Sequence, residues 1–255
     1  MVKVRVKVHR PRVEELDMDY PFIGLESWCE YILEHCSHHL LGGFEIGKDA
    51  AQYTAMFHRF WERYKQLDPS HIAFSTFSDF GRVIPYCVHG DEGRGKAKSA
   101  ILITSYQALI SPHGEGATNL KGHSYTTRLL AYLMPSKNFA SNDATIDCLS
   151  AHMVTDLQKV FTNGVTATWH CQQCTFYLAY IGLKGDWPYL RKVMNLESGF
   201  TSRRVCHLCT RADARRALIR FVHYCRAKRL TFSWLGSAGL LVCLRNGGGW
   251  VAMDA

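Results

Sequence analysis

Between Arg82 and Leu196 the chain alternates strand-like and helical patterns in an order that few architectures accept. Arg82 to His89 (RVIPYCVH) and Ala100 to Ile110 (AILITSYQALI) are rich in apolar and β-branched residues and read as strands. Ser124 to Met134 reads as a third, stopped by Pro135. From Asp143 to Phe161 the apolar residues Ile146, Leu149, Met153, Leu157 and Val160 recur at three and four, a helical stripe closed by Asn163-Gly164. Thr175 to Leu183 (TFYLAYIGL) is short and almost continuously apolar, as a strand buried on both faces would be. Trp187-Pro188 opens a helix through Leu196, with proline at a tolerated early position. The order is β-β-β-α-β-α, which implies an α/β fold.

Upstream the pattern is mainly helical. Val2, Val4, Val6 and Val8 alternate with Lys3, Arg5, Lys7 and His9, a short strand with one wet face that Pro11 ends. A helix is expected from Trp28 to Leu41, stopped by Gly42-Gly43, and another from Ala50 to Leu67, stopped by Asp68-Pro69. The second carries Tyr53, Phe57, Phe60, Trp61 and Tyr64 on one stripe, which reads as core packing rather than a base-stacking surface. The expected organisation is an N-terminal helical region over 1–80, a core over 81–200, and an irregular cysteine- and arginine-bearing tail over 201–255. No internal repeat is visible.

The net charge of +8 is local in origin. Nine Lys/Arg and a single acid, Asp213, fall between Arg203 and Arg229, and the remainder of the chain is balanced. A confined basic segment suits a polyanion, and DNA is the expected partner. Within it Arg203, Arg204, Arg211, Arg215, Arg216 and Arg220 are the candidate phosphate contacts, each adding salt dependence to binding. The bland alternative is a solvated helix face. Ten cysteines in 255 residues are too dilute for a disulfide scaffold, and MVKVRVKVHRPR lacks the apolar core of a secretory signal. A nuclear or cytoplasmic protein that is not secreted is therefore expected. No uncharged run reads as a membrane span.

Two carboxylates stand out by position. Asp91 follows the first strand of the β-β-β-α-β unit and Asp186 follows the fourth. If those strands are parallel neighbours, both ends emerge at one edge, where two Asp side chains could share Mg²⁺ or Mn²⁺. Paired hard cations activate an attacking oxygen and stabilise a leaving one in phosphodiester chemistry. The alternative is that Asp-Gly and Gly-Asp are ordinary turn residues. Gly90-x-x-x-x-Gly95-Lys96 superficially matches a phosphate-binding loop, but Ala97 replaces the required hydroxyl and a strand follows where a helix is needed.

Cys206-His207-Leu208-Cys209 has the spacing that puts two thiolates on one tetrahedral Zn²⁺, with His223 and Cys225 as candidate partners downstream. Cys171 and Cys174 form a second such pair, for which plain buried or half-exposed thiols are the simpler reading.

From Gly90-Asp91 to Cys209 the chain resembles the catalytic region of CACTA-type (EnSpm-like) DDE transposases. The segments that carry the resemblance are Gly185-Asp186-Trp187-Pro188-Tyr189-Leu190, then Asn195-Leu196-Glu197-Ser198-Gly199-Phe200-Thr201-Ser202, then Cys206-His207-Leu208-Cys209. The resemblance implies an RNase H-like mixed sheet, with Asp91 and Asp186 as the first two catalytic, metal-binding carboxylates. It places Cys206 and Cys209 in a zinc-binding insertion. It also implies DNA cleavage and strand transfer with two divalent ions and a third acid on a later helix. That third acid is not apparent: after Asp213 the only carboxylate side chain is Asp254, beyond Gly247-Gly248-Gly249. The expected protein is thus a truncated, catalytically incomplete transposase derivative whose tail reads like a frame-shifted end. The alternative is a non-enzymatic, zinc-dependent nucleic-acid-binding protein in which the two aspartates only shape turns.

Overall fold

The computed structural model describes residues 1–9, 11–94, 100–114, 128–169 and 172–194, and the backbone of 230–235, 240–245 and 250–252. The valine alternation forms β1 (Val2–Val8), but as half of a hairpin with β2 (Glu14–Tyr20), antiparallel with Val2 opposite Tyr20. Val4 and Val6 are buried, while Lys3 and Arg5 on the wet face stand opposite Asp19 and Asp17 at 3.5 and 3.4 Å. The first long helix is α1 (Leu25–His35), starting three residues earlier than expected and ending sooner. Next come α2 (Ala50–Leu67) and the single turn α3 (Ala73–Thr76). On α2 the aromatic stripe is core, with Tyr53, Phe57, Trp61 and Tyr64 buried. Trp61 Nε1–H donates to Val83 O at 2.8 Å and ties this helix to the main sheet.

That sheet begins with β3 (Val83–Arg94), β4 (Ala100–Ala108) and β5 (Leu129–Pro135), all antiparallel to their neighbours in turn. Then follow α4 (Ala144–Thr162), β6 (Val165–Trp169), β7 (Gln172–Gly185) and α5 (Trp187–Val193). Strand β7 lies beside β3 and runs parallel to it, giving the order β5-β4-β3-β7. Three expectations are corrected here. Strand β3 does not stop at His89 but continues through Asp91 to Arg94, because β4 pairs with it to the end, Asp91 opposite Ile103. A strand absent from the sequence reading, β6, forms a hairpin with the start of β7, Val165 opposite Phe176. The tail is not wholly irregular: β8 (Leu230–Leu235), β9 (Leu240–Arg245) and β10 (Trp250–Ala252) are strands, and Leu183 and Lys184 of β7 pair with Trp234 and Ser233.

One apolar cluster runs from Val4 to Leu190, so residues on both sides of position 80 share a core. Helix α1 crosses the sheet edge with Trp28 Nε1–H on Leu130 O at 2.8 Å. It is fastened to α4 at its first turn, where Asp156 Oδ2 accepts from Leu25 N–H at 2.5 Å. Gly24 lets the Asp156 carboxylate come close at that junction, where a Cβ would displace it. The β1–β2 hairpin sits on the other end of α4, where Thr145 Oγ1 donates to Arg5 O at 2.5 Å and accepts from Ala140 N–H at 2.8 Å. Gly164, with φ +72°, lets the chain turn from α4 into β6 in a conformation that L side chains rarely adopt. Among the described residues no helix is long and apolar enough to cross a membrane.

Candidate functional site

Side chains alternate across a strand, so Tyr86, Val88, Gly90 and Glu92 face one side of β3 and Cys87, His89 and Asp91 face the other. On the first side the register sets Tyr106, Thr104 and Leu102 of β4 against Val88, Gly90 and Glu92, and all three are buried. On the second side the upper rows are more open: Ile103 is 44% and Leu133 45% exposed. Asp91 belongs to this second side and is exposed.

The parallel ladder between β3 and β7 ends at Gly90 opposite Gly185. Asp91 and Asp186 are each the next residue along, so they occupy corresponding positions one step beyond the ladder of two strands about 4.8 Å apart, Asp91 still within β3 and Asp186 just past β7. The strands reach this register by a bulge in β7, between the pairs Tyr86–Tyr180 and Cys87–Gly182. Asp186 is exposed and is the N-cap of α5, its Oδ1 accepting from Tyr189 N–H at 2.9 Å. Its second carboxylate oxygen has no protein hydrogen bond among the described residues.

The glycines beside the acids have a physical cause. The buried Tyr189 ring lies across both Gly90 and Gly185, and a Cβ at either position would overlap it. The Gly-Asp pairs are therefore seats for α5 as much as turn residues, and they fix where its capping aspartate stands. On the same side Glu92 binds α5 through Lys192 Nζ at 3.0 Å and also accepts from the Ser136 hydroxyl. These two contacts hold the Glu92 carboxyl below its usual range against the upward push of burial.

Motif reading missed the residues next to Asp91. His89 lies opposite Lys184 on β7 and Ser105 on β4. Lys184 Nζ donates to Gln107 Oε1 at 2.5 Å, and Arg128 Nη1 is 3.3 Å from His89 Nδ1. Burial, then the charges of Arg128 and Lys184, pull His89 down to about 4. The available signal was spacing: His89 stands two before Asp91 on β3 and so shares its strand face, and Lys184 is the last residue but one of β7, two before Asp186.

Cys174 is a half-buried β7 residue opposite Ala167, packed against the core with its thiol free. Its expected companion Cys171 lies outside the described residues. So do Cys206, Cys209, His223 and Cys225, and Arg203, Arg204, Arg211, Arg215, Arg216 and Arg220. Among the described residues no group of three or more His, Cys, Asp or Glu side chains is gathered as a metal cage. Among the described residues Asp91 and Asp186 are thus joined by no third carboxylate, and donors to complete an ion's shell would be phosphate and water.

Fold and site together define an α/β protein with a mixed sheet and an acidic pair at one strand edge. No family model matches the chain, and a search of curated proteins finds no match.

Proposed function

We propose that this chain is a transposase-derived protein whose Asp91 and Asp186 bind Mg²⁺ or Mn²⁺ against DNA phosphate. The observation that carries the reading is the Gly90–Gly185 register, which sets both acids one step beyond the end of a parallel ladder. Within the sheet the run β5-β4-β3-β7, antiparallel from β5 to β3 and parallel between β3 and β7, is consistent with the first four strands of an RNase H-like sheet and supports that finer assignment. Hard divalent ions take carboxylate oxygens and keep positions open for water and phosphate, the conditions for in-line attack on a phosphodiester. With two carboxylates rather than three the ion pair is under-held, so weak or absent cleavage is expected. The basic segment with Arg203, Arg204, Arg211, Arg215, Arg216 and Arg220 would then track the backbone.

Mn²⁺ titration followed by electron paramagnetic resonance tests this directly. Bound Mn²⁺ that weakens about tenfold or more in Asp91→Asn and Asp186→Asn is the expected result. Mn²⁺ binding that is absent, or indifferent to both substitutions, refutes it. Robust Mn²⁺-dependent plasmid nicking abolished by Asp186→Asn would show that the site is catalytically complete after all.

One observation favours the second reading, a zinc-dependent nucleic-acid-binding protein without cleavage chemistry. Asp186 already has a structural task as the cap of α5. In that case the chain holds one zinc through Cys206 and Cys209, with His223 and Cys225 completing the shell, and Asp91→Asn changes nothing in metal content.

A further inference from the structure

The sheet face that bears Asp91 also bears a cationic patch that the metal reading does not use. Lys184 is only 8% exposed, and its Nζ partner is a neutral amide oxygen, Gln107 Oε1 at 2.5 Å. Beside it on β3 is the buried Cys87 thiol, which donates to Gln107 O at 3.6 Å. One row further on, His89 stands between Lys184 and Ser105, and the Ser105 hydroxyl donates to His89 O at 3.4 Å. Arg128 enters from the start of β5, with Nη1 3.3 Å from His89 Nδ1.

A guanidinium can only donate, so Nδ1 is the acceptor in that contact and the neutral ring carries its proton on Nε2. His89 is therefore unable to ligate a metal through Nδ1 while Arg128 holds it, and it presents Nε2–H as a donor. Among the described residues no carboxylate hydrogen-bonds or ion-pairs with Lys184 or Arg128. Buried cations in proteins are ordinarily paired, and an amide oxygen does not neutralise an ammonium. The patch draws on Lys184 of β7, His89 of β3 and Arg128, which reaches across β4 from the start of β5, and among the described residues no counter-anion sits with it. A planar carboxylate satisfies two coplanar donors. Donors that reach in from different strands suit the several oxygens of a tetrahedral anion.

The geometry points to a phosphate-binding site on this face, in which Lys184, Arg128 and His89 Nε2–H receive phosphoryl oxygens beside Asp91. It shares the strand edge with the metal reading but uses different atoms and needs no divalent ion. Both a free phosphate and a phosphodiester offer the required oxygens.

The test is calorimetric titration of the full chain with inorganic phosphate in the presence of chelator, against chloride at matched ionic strength. Saturable binding of one phosphate is expected, weakened about tenfold or more in Arg128→Gln and in Lys184→Gln. The His89 ring resonances should shift on phosphate addition in the unmodified chain. Lys184→Gln alters a buried position, so Arg128→Gln, at a half-buried one, decides the matter if the former does not fold. Phosphate heats no larger than those of chloride, or affinity unchanged in Arg128→Gln, overturn the inference. Displacement of phosphate by a short oligothymidylate assigns the site to a nucleic-acid backbone, and its failure assigns it to a small phosphate ligand. Asp91→Asn should weaken Mn²⁺ binding about tenfold or more and leave phosphate binding intact, so loss of either result alone identifies which proposal has failed.

Discussion

The seat of α5 on the glycine pair can be tested by a double-mutant cycle. In the native packing a Cβ at Gly90 would overlap the Tyr189 ring, which is buried at 1% exposure and backed by the row containing Thr104 and Tyr132. The ring has little room to retreat, so Gly90→Ala should cost about 1–3 kcal/mol, the usual penalty for overfilling a packed interior. Tyr189→Ala should cost about 3–5 kcal/mol through lost burial and the cavity it leaves. The cavity would accept the extra methyl. In the Tyr189→Ala background Gly90→Ala should therefore be neutral, or stabilising by about 0.5–1 kcal/mol, because glycine within a strand is entropically unfavourable relative to alanine. The cycle should show a coupling of about 1–3 kcal/mol of favourable sign in the double variant. Urea unfolding followed by circular dichroism at a constant m-value provides the four stabilities. If the two costs add within about 0.5 kcal/mol, the ring does not rest on Gly90, and the account of how Asp186 is positioned beside Asp91 fails.

Two further outcomes are expected. Burial raises the Asp156 carboxyl above its ordinary value, more than its hydrogen bond to Leu25 N–H lowers it. The folded state then binds the proton more tightly than the unfolded one, so this group penalises stability as pH rises from about 3.9 through the raised folded value. Asp156→Asn keeps an acceptor for Leu25 N–H and should flatten that part of the stability–pH curve. An unchanged slope in urea midpoints across the same range would count against a buried carboxylate there. Trp61→Phe removes the donor to Val83 O inside the Phe60, Tyr64, Phe74 and Phe80 cluster and should destabilise by about 1–3 kcal/mol. A change under about 0.5 kcal/mol in thermal or urea unfolding would mean that α2 is not fastened to β3 through that bond.

The helices with strong stripes were legible. Ala50–Leu67 and Ala144–Thr162 fall within a residue or two of the periodicity, because each buries a continuous apolar face. Strand β2 was not legible, since EELDMDY has neither β-branched residues nor clean alternation. It is a strand because its acids stand opposite the basic residues of β1 and its backbone completes that ladder. The continuation of β3 past His89 was hidden for a similar reason. Gly-Asp-Glu-Gly carries turn chemistry, and β4 across the ladder and Tyr189 above Gly90 hold it extended.

Local pattern alone determined that this chain is α/β, that an aromatic stripe belongs to its core, and that an aspartate follows the apolar run of each of two strands. Those properties depend on neighbours in sequence, where period and turn residues act directly. Tertiary structure decided that β7 runs parallel to β3, that a one-residue bulge brings Gly185 level with Gly90, and that Lys184 and His89 share a row. Register between distant strands is set by which side chains can be buried together, and the spacing of His89 and Lys184 from the aspartates does not show that the two share a row or that Arg128 joins them. A site built across strands becomes visible only once the sheet has placed its rows.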